Sequence, residues 1–224
     1  MQKQINILKS LKQHAQGTPE WHRYRDRLTI TGTGVAKVLD ESSYGNCTSY
    51  FLEQSGQKTP KIIPEYFSKH GKFWEPVALK LYELKTGERC FDVGCVNLYD
   101  VHDALRQWKD EEDLPKWYKK VGGSPDGITD SGILVEIKCP KTRKPIQCIE
   151  QIPKDYYHQI QFYLFMLDLE ICHYVEFVPR TWYKNQVAKN GSFNLFVIRR
   201  DKKWGKHSLP LLEKFIKMVD DARA

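Results

Sequence analysis

The stretch "GGSPDGITDSGILVEIKCP", Gly122 to Pro140, constrains the chain more than any other. Pro125, Asp126 and Gly127 are turn chemistry, and "ILVEIK" is a short run of strand formers closed off by Pro140. Side chains on a strand alternate between faces. Glu136 and Lys138 therefore share one face, and Ile133, Val135 and Ile137 share the other. The apolar face belongs to a core, while the opposite face carries a carboxylate and an ammonium. If Asp126 ends the preceding strand of a hairpin, its carboxylate sits beside Glu136. Two carboxylates held close repel each other unless a cation lies between them, and hard cations such as Mg²⁺ prefer oxygen ligands. A lysine on the same face can orient or deprotonate a water, or neutralise charge developing on a phosphate. Together these groups suit metal-assisted hydrolysis of a phosphodiester.

With 224 residues, 41% of them hydrophobic, the chain can bury one sizeable core. We read residues 1–224 as a single domain, with a helical part over about 1–60 and a catalytic core over about 64–200. A membrane span is not expected, because no long uninterrupted apolar run exists. The start, "MQKQINILKSLKQH", lacks the apolar centre of a secretory signal and reads as an amphipathic helix. Cys47, Cys90, Cys95, Cys139, Cys148 and Cys172 form no CxxC pair. Neither a disulfide framework nor a zinc site is expected from that spacing. They read as reduced thiols of an intracellular protein, in the cytoplasm or, for a viral protein, the nucleus of a host. A formal net charge of +7 favours polyanionic partners through counterion release and steering.

Periodicity predicts helices over 2–14, 33–40, 47–56, 64–86, 155–169 and 208–221, and strands over 89–98, 133–139, 171–178 and 193–200. That order suggests a mixed sheet flanked by helices, α/β or α+β in class. Asp100 to Trp117 fits neither period, and its acidic cluster Asp110, Glu111, Glu112 and Asp113 reads as solvated. Glu75 falls in a helix whose apolar stripe is Val77, Leu81 and Leu84. Pro76 directly after it suggests a kink or a fresh helix start. Gln159 flanks a stripe of Ile160, Tyr163, Leu164 and Leu167. Neighbouring His158 reads as a half-exposed surface residue.

The spacing of Pro125-Asp126 and Glu136-x-Lys138 matches the PD-(D/E)xK pattern of restriction-endonuclease-like nucleases. "GSPDGI" with "LVEIKCP" closely resembles the phage lambda exonuclease and YqaJ-type viral recombinase family. The family's other motifs follow in order: "WHRYRDRLTITGT" near the start, "HGKFWEPVALKLYE" upstream, and "YYHQIQFYLFML" downstream. The resemblance implies a Mg²⁺-dependent exonuclease, with Mn²⁺ able to substitute. Such an enzyme digests one strand of linear double-stranded DNA from the 5′ end, leaving 3′ single-stranded tails for recombination. It implies Asp126, Glu136, Glu75 and the Ile137 backbone carbonyl as metal ligands, with Lys138 and Gln159 as further catalytic residues. It also implies that Arg25, Thr31, Thr33 and Ser124 bind the terminal 5′-phosphate, with either Arg143 or Lys144 across from them. Two departures occur: one extra residue separates Arg25 from "ITGT", and Thr33 replaces a serine. A single-strand annealing partner and a homotrimer are further implications. The alternatives are an endonuclease or structure-specific repair nuclease of the same fold, or a nuclease-dead DNA-binding protein. The phosphate set around Arg25 favours the exonuclease over the first. The intact Asp126, Glu136 and Lys138 argue against the second.

Overall fold

A computed structural model describes residues 2–11, 14, 16–60, 64–106, 113–183, 186–189 and 191–224. Its main element is a five-stranded mixed sheet in the order β10 (Ser192–Arg199), β7 (Ile171–Val178), β6 (Leu134–Lys138), β5 (Gly127–Thr129) and β2 (Cys90–Phe91). Only β6 and β7 run parallel within it; the other neighbours are antiparallel. A parallel pair needs a crossover, and α7 (Lys154–Met166) supplies it. A smaller sheet has the order β1 (Ile30–Thr31), β4 (Val121–Gly123) and β3 (Val96–Asn97). β8 (Thr181–Tyr183) and β9 (Gln186–Lys189) form a separate pair.

The sheet lies between helices. On one face Leu134, Cys172 and Tyr174 join the larger core with Ile160, Phe162 and Leu164 of α7. On the other, Val135, Ile137 and Val175 pack with Ala78 and Tyr82 of α5 (Glu65–Thr86). Thus β6 is covered on both faces, as strands in parallel pairs usually are. The expected division into an apolar and a polar face does not hold: Leu134 and Glu136 share a face, and both are fully buried. The long helix α5 starts after Pro64 and ends where Gly87 takes a left-handed φ of 75°. It runs unbroken through Pro76, so no new helix begins there. Its buried stripe is also displaced from the expected one. Ala78 and Tyr82 face the sheet, whereas Val77 and Leu84 are exposed.

Several short elements differ from the periodic reading. The expected strand over 89–98 is two strands in different sheets, β2 and β3, broken by a turn at Gly94 with φ 61°. Helix α2 (Pro19–Arg25), capped by the Thr18 side chain, is too short to show a period. Helix α6 (Leu98–Arg106) does bury Leu98, Val101 and Leu105, a stripe that the polar residues between them hid. The N-terminal helix α1 (Gln2–Ser10) is shorter than expected. The region over 33–40 is a 3₁₀ turn, Gly32–Gly34, followed by α3 (Val35–Val38). Helix α4 (Cys47–Gln54) opens on a capping box at Asn46. The last helix, α8 (Lys202–Arg223), starts earlier than expected because Asp201 caps it. Asp110, Glu111 and Glu112 lie outside the described residues; Asp113 is exposed near Arg106.

The small sheet sets up a stability test. Gly122 lies so close to β3 that an added Cβ would meet the Val96 carbonyl oxygen and the Asn97 Cα, the latter at 2.8 Å. Gly122→Ala should destabilise the protein by about 1–3 kcal/mol, because strand backbone yields poorly to overpacking. Gly71→Ala, in α5 with open space around it, should instead add about 0.5–1 kcal/mol by helix propensity. Urea unfolding of both variants checks the pair; equal midpoints would refute the packing argument.

Candidate functional site

The C-terminal end of β6 delivers Glu136, Ile137 and Lys138 to the edge of the core. Asp126 does not end a preceding hairpin strand; it comes directly before β5, whose Gly127 pairs with Val135. From there its Oδ2 accepts a hydrogen bond from the Ile137 backbone N–H at 2.6 Å. The Asp126 carboxylate is thereby fixed to the backbone of β6 at Ile137, the residue between Glu136 and Lys138 in sequence. Lys138 Nζ donates to Glu136 Oε1 at 2.5 Å. Glu136 is fully buried, and among the described residues its Oε2 has no hydrogen-bond partner. Glu75 approaches from α5. A cleft of about 270 Å³ opens onto Lys72, Glu75, Ile137, Lys138 and Tyr156. Lys138 Nζ lies 5.0 Å from the centre of the Tyr156 ring. A larger hollow of about 470 Å³ lies between α7 and α8, lined by Gln161, Phe165, Arg200 and Lys206, and contains none of these carboxylates.

The electrostatics are those of crowded carboxylates, Glu136 fully buried and Asp126 and Glu75 partly so. Burial, then the charge of Asp126, pushes Glu136 up to about 8. Burial and Asp126 push Glu75 up to about 7. Asp126 itself is raised by burial, against the opposing effect of Lys138 and the Ile137 N–H. Burial works against the Lys138 ammonium, yet Glu136 and Asp126 outweigh it and raise its pKa. Asp92, which the sequence reading passed over inside its expected strand, adds to the rise of Glu75 and Asp126.

An orphaned buried oxygen on Glu136, beside carboxylates that raise one another, is the donor set a hard cation would relieve. Among the described residues, no group of three or more Asp, Glu, His or Cys side chains forms a ready ion cage. Mg²⁺ commonly takes only one or two carboxylates and keeps several waters, so the residues present fit it. Ile137 lines the same cleft.

The expected phosphate ligands fall into linked pairs. Arg25, at the end of α2, stacks its guanidinium 5.1 Å from the Trp21 ring. Trp21 Nε1 donates to Ser124 Oγ at 3.1 Å, which brings the first motif to the turn before Asp126. Thr31 and Thr33 share a hydroxyl contact of 3.1 Å. Between them, Gly32 packs on the Tyr163 hydroxyl, and Gly123 beside Ser124 packs on the same group. A Cβ at either glycine would fall within 2.5 Å or 2.6 Å of that oxygen. Gln159 is buried, with Nε2 at 3.4 Å from the Tyr163 hydroxyl. Tyr163, part of an aromatic stretch expected to be mostly core, with one or two tyrosines able to touch DNA, joins the Thr31–Thr33 turn, the Ser124 turn and Gln159. His158 is buried rather than half-exposed: it accepts from Trp204 Nε1 at 3.0 Å and faces Glu41. Its surroundings come from α8 and the 40–43 loop, beyond the reach of a helical pattern. Arg143 lies 5.8 Å from the Tyr156 ring centre, and Lys144 is exposed.

The family model described as the YqaJ-like viral recombinase domain matches residues 20–170. The fold is similar to that of an alkaline exonuclease, LHK-Exo, from Laribacter hongkongensis. The TM-score is 0.65 at 22% identity, over 91% of this chain and 93% of that one. The same protein in complex with dAMP gives a TM-score of 0.64 at 22% identity, with the same coverage of 91% and 93%. A phage related exonuclease from Haemophilus somnus 129PT gives 0.57 at 14% identity, over 88% and 93%. No curated protein matches the chain.

The raised carboxylates predict a pH-dependent stability. Without divalent cations, Glu136 and Glu75 keep protons in the folded state that the unfolded chain has released above about pH 4.5. Their contribution is complete below that value and is lost as pH climbs through about 7 and 8. The Tm in EDTA should therefore fall between pH 5 and 8, by an amount of order 1 kcal/mol or more in stability. Glu136→Gln should flatten that slope, and Mg²⁺ should raise the Tm more at pH 8 than at pH 6. A Tm in EDTA that is flat from pH 5 to 8 would contradict the electrostatic picture.

Proposed function

Because this chain belongs to the YqaJ-like viral recombinase family, we propose that it is a Mg²⁺-dependent DNA exonuclease. It digests one strand of linear duplex from the 5′ end and leaves a 3′ single-stranded tail. The observation that carries this reading is the arrangement at β6. Asp126 is pinned by the Ile137 N–H, Glu136 holds a buried unpartnered oxygen, and Lys138 stands beside both at the mouth of a cleft. The names of the structural neighbours, an alkaline exonuclease and a phage related exonuclease, agree with it.

Asp126 and Glu136, with Glu75 and the Ile137 carbonyl nearby, are the groups that would hold Mg²⁺ or Mn²⁺. When bound, that ion would supply Lewis-acid polarisation of the phosphate and a more acidic water. Lys138 presents a fixed ammonium toward the reacting phosphate, where low dielectric strengthens its effect. Gln159, held by Tyr163, orients polar groups beside it. Arg25 and the hydroxyls of Thr31, Thr33 and Ser124 bind the terminal phosphate. A guanidinium can fork onto a phosphate, while each hydroxyl adds one hydrogen bond.

Asp126→Ala or Glu136→Ala should each abolish detectable cleavage while leaving DNA binding largely in place, since groove affinity comes from basic residues. Nuclease assays paired with binding isotherms check this; near-native turnover in either variant would remove the proposed centre. Arg25→Ala should slow digestion of 5′-phosphorylated duplex about ten- to a hundredfold, the effect of one lost charge-assisted bond. The 5′-hydroxyl duplex should be affected much less. Both substrates must be compared at one salt concentration. A wild type that ignores the end phosphate and nicks closed circles would replace the exonuclease with an endonuclease.

A further inference from the structure

The parallel register of β6 and β7 sets Glu136 beside Tyr174 and Lys138 beside Glu176. Residues paired this way project from the same side of the sheet. Glu176 is thus a second fully buried carboxylate, on the strand next to β6. An ionised group at that depth persists only when paired and hydrogen-bonded. Glu176 has two partners, and both lie in the segment that leaves β6. The Ile146 backbone N–H donates to its Oε2 at 2.6 Å, and Arg143 forms an ion pair with its Oε1.

The consequence falls on Arg143. Its side chain is 30% exposed. It also lies near the Tyr174 hydroxyl at 3.4 Å and over Tyr156, the ring that carries Lys138. A guanidinium has five N–H donors; Nη2 meets Glu176 and the Tyr174 hydroxyl and Nη1 donates to the Lys144 backbone carbonyl at 3.3 Å, so a phosphate would draw on the remaining N–H groups. Burial opposes the Arg143 charge, but Glu176 outweighs it and holds the group firmly cationic. Lys144, the alternative on the same segment, is an exposed ammonium on a long flexible stem.

We propose that Glu176 is a positioning residue: it aims Arg143 beside Lys138, so that Arg143 rather than Lys144 grips a phosphate of the substrate strand. The identity of that strand as DNA rests on the nuclease reading above. The rival explanation is that Glu176 merely glues the 140–148 segment to the sheet.

A double-mutant cycle read by equilibrium binding separates the two. The full chain is titrated in EDTA with a short 5′-phosphorylated duplex at several salt concentrations. Arg143→Ala should weaken binding roughly ten- to a hundredfold and reduce the salt slope by about one. Glu176→Gln keeps the shape and the acceptor for the Ile146 N–H but removes the charge. It should reproduce most of the affinity loss, and the double variant should bind no more weakly than Arg143→Ala alone. Lys144→Ala should cost far less. If Glu176→Gln does not fold, Glu176→Asp, which keeps the charge but draws the guanidinium back, should show the same loss. Native affinity in the folded Glu176 variant, additive losses in the double variant, or a Lys144→Ala loss equal to that of Arg143→Ala would each overturn the proposal. Cleavage of the same duplex by the wild type with Mg²⁺ is measured alongside. Its absence would sink the nuclease reading, while the binding cycle still decides what Glu176 does.

Discussion

The hydrogen bond from the Ile137 N–H to Asp126 organises the site. The β5–β6 pairing begins at Gly127 and Val135, and beyond it the Ile137 N–H is given to a carboxylate instead of to the ladder. That bond places Asp126 against Glu136 and Lys138 without any reliance on flexible side chains. It also stabilises the ionised form of a buried acid, in opposition to the larger effect of burial. The rest of the centre follows from its location. Helix α5 covers the opposite face of β6 and brings in Glu75, and α7 covers the near face and brings in Gln159 and Tyr163.

A second constraint is steric. Two turns remote in sequence, at Gly32 and Gly123, close on one phenol. The Tyr163 oxygen occupies the volume where a side chain would begin at either glycine, so the threonine pair and Ser124 are held at a set spacing from the α7 helix. Trp21 adds a third tie through its hydrogen bond to Ser124. The candidate phosphate ligands are therefore anchored to the same helix as Gln159. For the proposed exonuclease such rigidity would matter, because positional error at a reacting site converts into lost rate.

Much of this was legible in the chain itself. The turn at Pro125-Asp126-Gly127 and the alternation of "ILVEIK" located the central strand and its charged residues, because turn chemistry and a period of two are local properties. Strands β7 and β10 and helices α5 and α7 were long enough for periodicity to show, and their order pointed to the mixed sheet. Short pieces were not legible. β4 spans too few residues for a pattern, the break that divides the expected 89–98 strand into β2 and β3 leaves no periodic mark, and α2 depends on a cap and a tryptophan contact rather than a stripe.

What only the tertiary structure decided is which polar groups are buried and what they face. His158 is enclosed by Trp204 and the Glu41 loop, and Arg143 rather than Lys144 meets Glu176. Both faces of β6 are covered, so that Glu136 lies dry with one oxygen unpaired. Sequence by itself determined the residue types, their spacing along each element, and hence the chemistry available. Desolvation and ion pairing depend on distances between elements far apart in the chain, and those distances exist only once the helices close over the sheet.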